Sequence, residues 1–387
     1  MENFEFYAPT RMIFGKDTHL KVGKLIREYG FKKVLIHFGG GSVKRTGLLD
    51  TVCRSLEEEG IGYVLLGGVQ ANPVLSMARK GIELCRREQV DFILAVGGGS
   101  VIDSSKCIAD GVGNPDVDVW KFHMKEAVPK KALPVGVILT LAAAGSEMSA
   151  SCVITNEENG LKRGFNSVTH RPLFSICNPE LTYTVNAFQT GCGTVDIMMH
   201  TLERYFSLGH DTSLTDRMAE GLLKAVIEAG RIVHENPEDY EARSNIMWTA
   251  TWALNTLVAK GKKTDWMVHM IGQAAGAVTD ATHGMTLSAV SLPYYRFILD
   301  AGLPKFTRFA KNVWEVSADG KSDREVAEEG LSAMEAWMRE LGLAMSLSEI
   351  GATEDMIEDI VKGTIILKGG YRVLTKEEIR EIVKMSM

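Results

Sequence analysis

A surplus of positive charge is the first thing this sequence lacks. Its 387 residues carry 43 Lys and Arg against 49 Asp and Glu, a formal net charge of -6 at pH 7. No dense Lys/Arg tract offsets this, and nucleic-acid binders are ordinarily basic, so that class is set aside. No stretch is built to cross a membrane. The longest apolar run, 133–144, is broken by Pro134 and Gly136, whereas a bilayer helix needs about 20 apolar residues. The chain opens Met1-Glu2-Asn3-Phe4-Glu5, without a basic stretch ahead of an apolar one, so no signal peptide is expected. Its six cysteines (Cys53, Cys85, Cys107, Cys152, Cys177 and Cys192) form no C-x-x-C pair. Spread this thinly, they read as reduced thiols of a cytoplasmic protein. Solenoid-type repeats and low-complexity tracts are absent too.

What is present suggests two globular domains. The composition is 45% hydrophobic and 24% charged, enough apolar material for sizeable cores. Apolar, β-rich runs at 34–38, 63–66 and 92–96 follow amphipathic stretches at 20–29, 47–59 and 74–89, and Pro73 stands where the last of these begins. Continuous apolar strands alternating with helices predict a parallel sheet covered on both faces. Residues 135–139 predict a further strand, and 151–155 with 173–177 a later hairpin or edge pair. Beyond Asn186 the strand signals fade and apolar residues recur at helical spacing, as at Leu222, Leu223, Val226 and Ile227. The expectation is an α/β nucleotide-binding domain over 1–183 and an all-α, metal-binding domain over 184–387.

Two glycine-rich turns follow predicted strands. Gly39-Gly40-Gly41-Ser42 comes after the first, and Gly97-Gly98-Gly99-Ser100 after the third, with a helix predicted from Val101. Glycines let a backbone approach a phosphate, and free N–H groups at a helix start attract anions. Neither turn is the G-x-G-x-x-G fingerprint, and a tight turn without ligand explains either one alone. Two such turns at the carboxyl ends of parallel strands point to a nucleotide. No carboxylate follows the first strand, where one would bind a free ribose 2′-hydroxyl and repel a 2′-phosphate. Lys44 and Arg45 follow instead, which favours NADP(H) and leaves NAD(H) open; a merely solvated helix start explains the two cations equally well.

The helical half holds the candidate metal residues. Asp196 and His200 are four apart, on one helical face, within apolar neighbours. The pair fits a buried hydrogen bond as well as a metal site. His269 and His283 lie in apolar, Gly-containing surroundings, while His37 reads as structural and His19, His123, His170, His210 and His234 as surface or structural. One carboxylate and three imidazoles suit Fe(II) or Zn(II) with a position left for an oxygen ligand. The long gaps between these residues mean that spacing alone does not assemble the set.

At these residues the sequence resembles the iron-containing alcohol dehydrogenases. The resemblance covers essentially the whole chain, from Pro9-Thr10-Arg11-Met12-Ile13-Phe14-Gly15 through Asn72-Pro73, 97–106, 140–147 and Asn178-Pro179-Glu180 to the Asp196/His200 and His269/His283 segments. Gly39-Gly40-Gly41-Ser42-Val43-Lys44 is similar to the butanol dehydrogenase and broad aldehyde reductase branch. The resemblance implies a dehydroquinate synthase-like fold and a homodimer. It implies metal ligands at Asp196, His200, His269 and His283, Fe(II) ahead of Zn(II), with His269, His283 and Gln273 at the catalytic centre. Cofactor contacts are implied at Gly39, Gly40, Gly41, Ser42, Asn72, Gly97, Gly98, Gly99, Ser100, Asp103, Thr140, Leu141 and Lys162.

Two positions depart from the family pattern. Gln273 stands where many relatives carry a histidine near the substrate, and it cannot carry a proton at neutral pH. Asn186 replaces a common proline. The implied activity interconverts primary alcohols and aldehydes, of the butanol and butanal kind, with NAD(P)(H). The proton would come from water or a cofactor ribose hydroxyl. Alternatives are a polyol dehydrogenase of glycerol type, a dehydroquinate synthase-like lyase, for which the helical half offers few basic residues near the candidate ligands, and a non-catalytic binding protein, against which the intact ligand set argues.

Overall fold

The computed structural model describes residues 1–208 and 213–387; His210 lies outside them. The chain falls into two compact units, one of Tyr7–Thr184 and one of Met1–Phe6 with Val185–Met387. The first six residues thus join the helical unit, where Glu2 N–H donates to Gly261 C=O at 2.9 Å and Lys260 Nζ to Glu5 C=O at 2.5 Å.

The first unit contains strands β1 (Arg11–Phe14), β2 (Lys33–Gly39), β3 (Gly62–Val69), β4 (Phe92–Gly97), β5 (Val135–Leu139), β6 (Ser151–Asn156), β7 (Leu161–Asn166) and β8 (Phe174–Cys177). Six of them form one parallel sheet in the order β1-β8-β5-β4-β2-β3. Its core has two sides because side chains alternate across a strand. Ile36 and Leu94 pack with Val22, Ile26, Val52 and Leu56 from helices Val22–Glu28 and Leu48–Glu58. Leu35 and Ile93 pack on the opposite face with Leu75, Ala78, Cys107 and Ile108 from helices Leu75–Glu88 and Gly99–Gly113. Each such fully buried aliphatic side chain contributes roughly 1.5–3 kcal/mol. That two-sided burial is why β4 and β5 are apolar at consecutive positions.

The predicted pairing of 151–155 with 173–177 does not form. β6 pairs antiparallel with β7 in a separate two-stranded sheet, and β8 inserts between β1 and β5. Burial explains the difference. β6 alternates, with Cys152, Ile154 and Asn156 inward, whereas every residue of β8 is buried. A segment buried on both faces belongs inside a covered sheet rather than at an exposed pair. β7, Leu-Lys-Arg-Gly-Phe-Asn, carries no apolar alternation and gave no strand signal.

Every regular element among the described residues of the second unit is a helix. At its centre runs helix Ala187–Tyr205, buried at every position from Gly191 to Tyr205. Asn186 caps it, its side chain accepting from Gln189 N–H at 2.8 Å, so the departure from proline supplies a capping oxygen. Helix His283–Ile298 lies against it so closely that a Cβ on Gly284 would sit 2.4 Å from Cys192 O. That approach requires glycine and brings His283 beside the Asp196 turn. Helix Met267–Thr279 packs on both. No described helix is long and apolar enough to cross a membrane.

Candidate metal centre and dinucleotide turns

Three helices of the second unit supply the candidate cluster. Asp196 and His200 stand one turn apart on Ala187–Tyr205, His269 lies in the first turn of Met267–Thr279, and His283 opens His283–Ile298. Asp196 Oδ1 is the shared point: His200 Nδ1 lies 3.4 Å from it, His269 Nε2 3.5 Å and His283 Nε2 3.9 Å. The ligand atoms of Asp196, His200 and His269 lie within 4.8 Å of one another, and all three residues are buried. His283 stands at the rim, with its side chain 28% exposed.

Among the described residues, Asp196 Oδ1, His200 Nδ1 and His269 Nε2 are buried without a hydrogen-bond partner. Buried polar atoms are nearly always satisfied. Three that are not, converging on one point with one carboxylate and two imidazoles, form the donor set of a divalent first-row metal. The residues fit such an ion. Burial, then the neighbouring His269 and Arg204, push the His200 imidazole well below its ordinary value, so it stays neutral and can donate its lone pair. Burial works against a charge on His269 as well, but Glu203 and Asp196 outweigh it and raise that imidazole. The two carboxylates thus favour positive charge at this ring, as they would favour a cation beside it.

Two neighbours of the cluster escaped the sequence reasoning. Glu203 is fully buried; it accepts the His269 backbone N–H at 3.1 Å and pairs with His269 Nδ1. Its signal was present in the sequence, three residues beyond His200 on the same helical face. Trp266 walls the site, its ring 5.1 Å from His269 and 5.8 Å from His200, with the Arg204 guanidinium 4.3 Å from its centroid. Its φ of 75° is rare for a bulky residue and costs roughly 1–3 kcal/mol. No local sequence feature announces that conformation. Gln273, one turn beyond His269 and half-buried, lies on the same side of its helix.

Two histidines outside the cluster have structural places. His37 is held between Leu66 C=O and Ser104 Oγ, both at 2.8 Å. His170 bridges Ala150 C=O and the Asp110 carboxylate at 2.9 and 2.7 Å.

In the first unit, sheet order places the glycine turns. β3 lies on one side of β2 and β4 on the other, so the chain reverses direction across the sheet between β2 and β4. Crevices at such a switch point, at the carboxyl ends of the strands, are where open α/β sheets bind ligands. Gly39–Ser42 and Gly97–Ser100 end those two strands. Helix Gly99–Gly113 starts two residues earlier than predicted, and no side chain caps it, leaving its amino end for an anion.

The second turn also meets its own chain. A Cβ on Gly98 would lie 3.1 Å from Leu141 Cβ, one on Gly99 3.0 Å from Ala144 Cβ, and Thr140 N–H donates to Gly97 C=O at 3.1 Å. Gly97, Gly98, Gly99, Thr140 and Leu141 are therefore adjacent. Asp103 faces inward: it accepts from Ser146 Oγ at 2.6 Å and Val153 N–H at 2.9 Å. Lys106, 1% exposed, donates to the carbonyls of Ser146, Ser149 and Ser151 at 2.8, 3.2 and 2.9 Å. Lys162 Nζ donates to Asn72 Oδ1 at 2.8 Å, joining two more expected cofactor residues. At the first turn no neighbouring atom lies within 4 Å of a Cβ added to Gly40, and Arg45 reaches back to within 3.4 Å of one added to Gly41.

Comparison with known proteins agrees along the whole chain. The family described as iron-containing alcohol dehydrogenase matches residues 9–179, and the Fe-containing alcohol dehydrogenase family, C-terminal, matches 190–387. The chain is 39% identical over 391 residues to NADH-dependent butanol dehydrogenase A of Clostridium acetobutylicum, covering 100% of both. It is 36% identical over 366 residues to NADPH-dependent aldehyde reductase YqhD of Escherichia coli, covering 94% of this chain and 92% of that one. The crystal structure of NADH-dependent butanol dehydrogenase A from Thermotoga maritima superposes with a TM-score of 0.96 at 36% identity, covering 100% and 99%.

Proposed function

The chain belongs to the iron-containing alcohol dehydrogenase family, and from that premise we propose that it reduces aldehydes of butanal size to primary alcohols, reversibly, at the Asp196 cluster. It is an NAD(P)(H)-linked alcohol/aldehyde oxidoreductase. The observation that carries the proposal is the convergence of three unsatisfied buried donor atoms, Asp196 Oδ1, His200 Nδ1 and His269 Nε2. His283 completes the set from the rim.

A metal bound there, Fe(II) ahead of Zn(II), supplies Lewis-acid polarisation of the substrate oxygen. Asp196 would be the one carboxylate among the four ligands, so the ligand set itself would leave a dication about one unit of positive charge. Trp266 and the buried helix walls keep water from the closed side of the cluster, where low dielectric strengthens the interaction. Gln273 can orient a substrate by hydrogen bonding but holds no proton at neutral pH, so position 273 gives this chain no histidine relay.

We assign the α/β unit to the dinucleotide. Gly39–Ser42 and Gly97–Ser100 hold its phosphates, with Asn72, Asp103, Thr140, Leu141 and Lys162 around them. NADP(H) is the favoured form, because Lys44 and Arg45 follow the first turn where a carboxylate would repel the 2′-phosphate. The relatives include both NADH- and NADPH-dependent enzymes. The protein is proposed to act as a homodimer, as the family resemblance implies, and in the cytoplasm, in keeping with its free cysteines.

The test is the rate of NADPH and NADH oxidation with butanal, on metal-stripped protein and after anaerobic reloading with Fe(II) or Zn(II). Restored activity, faster with NADPH, is expected. Activity that is indifferent to stripping and reloading would reject the metal site.

A further inference from the structure

We propose that Glu203 is a positioning residue that sets which ring nitrogen His269 presents to the metal, an assignment that rests on the metal reading of the cluster. Glu203 lies on the helix that carries Asp196 and His200, and its side chain is 0% exposed. It holds His269, 66 positions away on another helix, by two groups at once. One carboxylate oxygen accepts the backbone N–H at 3.1 Å, and the other pairs with Nδ1. An ionised carboxylate only accepts, so the hydrogen of the neutral ring belongs on Nδ1. Nε2 then keeps its lone pair, and Nε2 is the atom that faces Asp196 Oδ1 at 3.5 Å without a hydrogen-bond partner.

The clamp has two consequences. The His269 ring is oriented by the protein before any ion arrives, because both its backbone and its far nitrogen are tied to Glu203. A carboxylate behind a ligating imidazole also makes that imidazole a stronger donor, and losing such a partner typically weakens metal affinity 10–100-fold. His269 is therefore the anchored arm of the set, and Glu203 links the two helices that carry its buried members.

The experiment titrates metal-stripped protein with Co2+ against a competing chelator at fixed pH, for the unsubstituted chain, Glu203→Gln and Glu203→Ala. Alanine removes both acceptors and glutamine keeps one. Affinity should fall by about 10–100-fold in Glu203→Ala and by less in Glu203→Gln, with the cobalt absorption bands shifted in both. Unsubstituted affinity and spectrum in both variants would overturn the assignment. Should Glu203→Ala fail to fold, histidine 15N spectra of the Zn2+-loaded unsubstituted protein decide the matter. A His269 proton on Nδ1 supports the clamp, and one on Nε2 overturns it. If the unsubstituted protein binds neither ion, the metal reading falls and the assignment with it. Normal binding there with unaltered variants removes Glu203 alone.

Discussion

Truncating His269 and truncating His283 should both end turnover, yet at unequal cost to the fold. The His269 side chain is 4% exposed and faces Glu203, whose side chain is 0% exposed. In His269→Ala that carboxylate keeps only the backbone N–H at 3.1 Å. Removing one partner of a buried pair costs about 3–5 kcal/mol, because the other charge stays buried. His283 is 28% exposed, and the carboxylate it approaches lies 3.9 Å away, so its truncation should cost roughly 1 kcal/mol. The difference, about 2–4 kcal/mol, corresponds to a urea midpoint shift of roughly 1–2 M for an ordinary denaturant slope. Tryptophan fluorescence of the metal-free proteins suits the measurement, because of the six tryptophans only Trp120 lies outside the helical unit. Butanal reduction should fall by about 1000-fold or more in both variants, the equivalent of several kcal/mol of lost charge stabilisation. NADPH affinity should hold, since the glycine turns belong to the other unit. Near-normal turnover in either variant would refute the metal site, and equal midpoints would refute the energetic argument built on Glu203.

Acid should loosen the α/β unit. Burial pushes His37 and His123 down to about 4. Because the unfolded chain takes up those protons more readily, their contribution is intact above the usual value near 6.5 and is lost as pH falls through 4, about 3 kcal/mol for each. Urea midpoints that do not move between pH 7 and 4.5, or that move equally in His37→Gln, would contradict this. Asp265 acts oppositely in the helical unit: burial, then Glu203, raise it to about 7, so its contribution is present below the usual carboxylate value and is lost as pH rises through 7. Asp265→Asn should flatten that slope in the same assay. Gln273→His should add an ionisation near pH 6.5 to the pH–rate profile, and an unchanged profile would place residue 273 outside proton transfer. Lys106→Met should leave the carbonyls of Ser146, Ser149 and Ser151 and the Asp103 carboxylate without their buried cation. NADPH binding, followed by fluorescence, should weaken while metal content stays normal, and unaltered NADPH affinity would show that this buried network does not shape the turn.

The strands β2, β3, β4 and β5 were legible because each is a short apolar run between helical patterns, and such periodicity is local. Both glycine turns were legible for the same reason: a glycine triplet right after a strand needs no partner to be seen. The Asp196/His200 pair could be read from one helical turn. The fate of 173–177 could not. Whether an apolar run of that length joins a hairpin or slides between two parallel strands depends on which edge is vacant, and β1 leaves that place open only once the sheet exists. β7 was missed because its pairing with β6, rather than its own pattern, makes it a strand.

By itself, then, the sequence determined the two kinds of architecture, the turns suited to phosphates and, through its resemblance to a family, the candidate ligand set. Tertiary structure alone decided how residues 196, 200, 269 and 283 meet, because three helices must cross at one point and one crossing closes only on Gly284. It also decided the less visible roles. Asp103 turns inward to Ser146 and Val153, Lys106 binds three carbonyls, and Glu203 reaches His269 across 66 positions. Periodicity records which face of an element is buried. It does not record which buried polar atom finds which partner, and that pairing gives the site its chemistry.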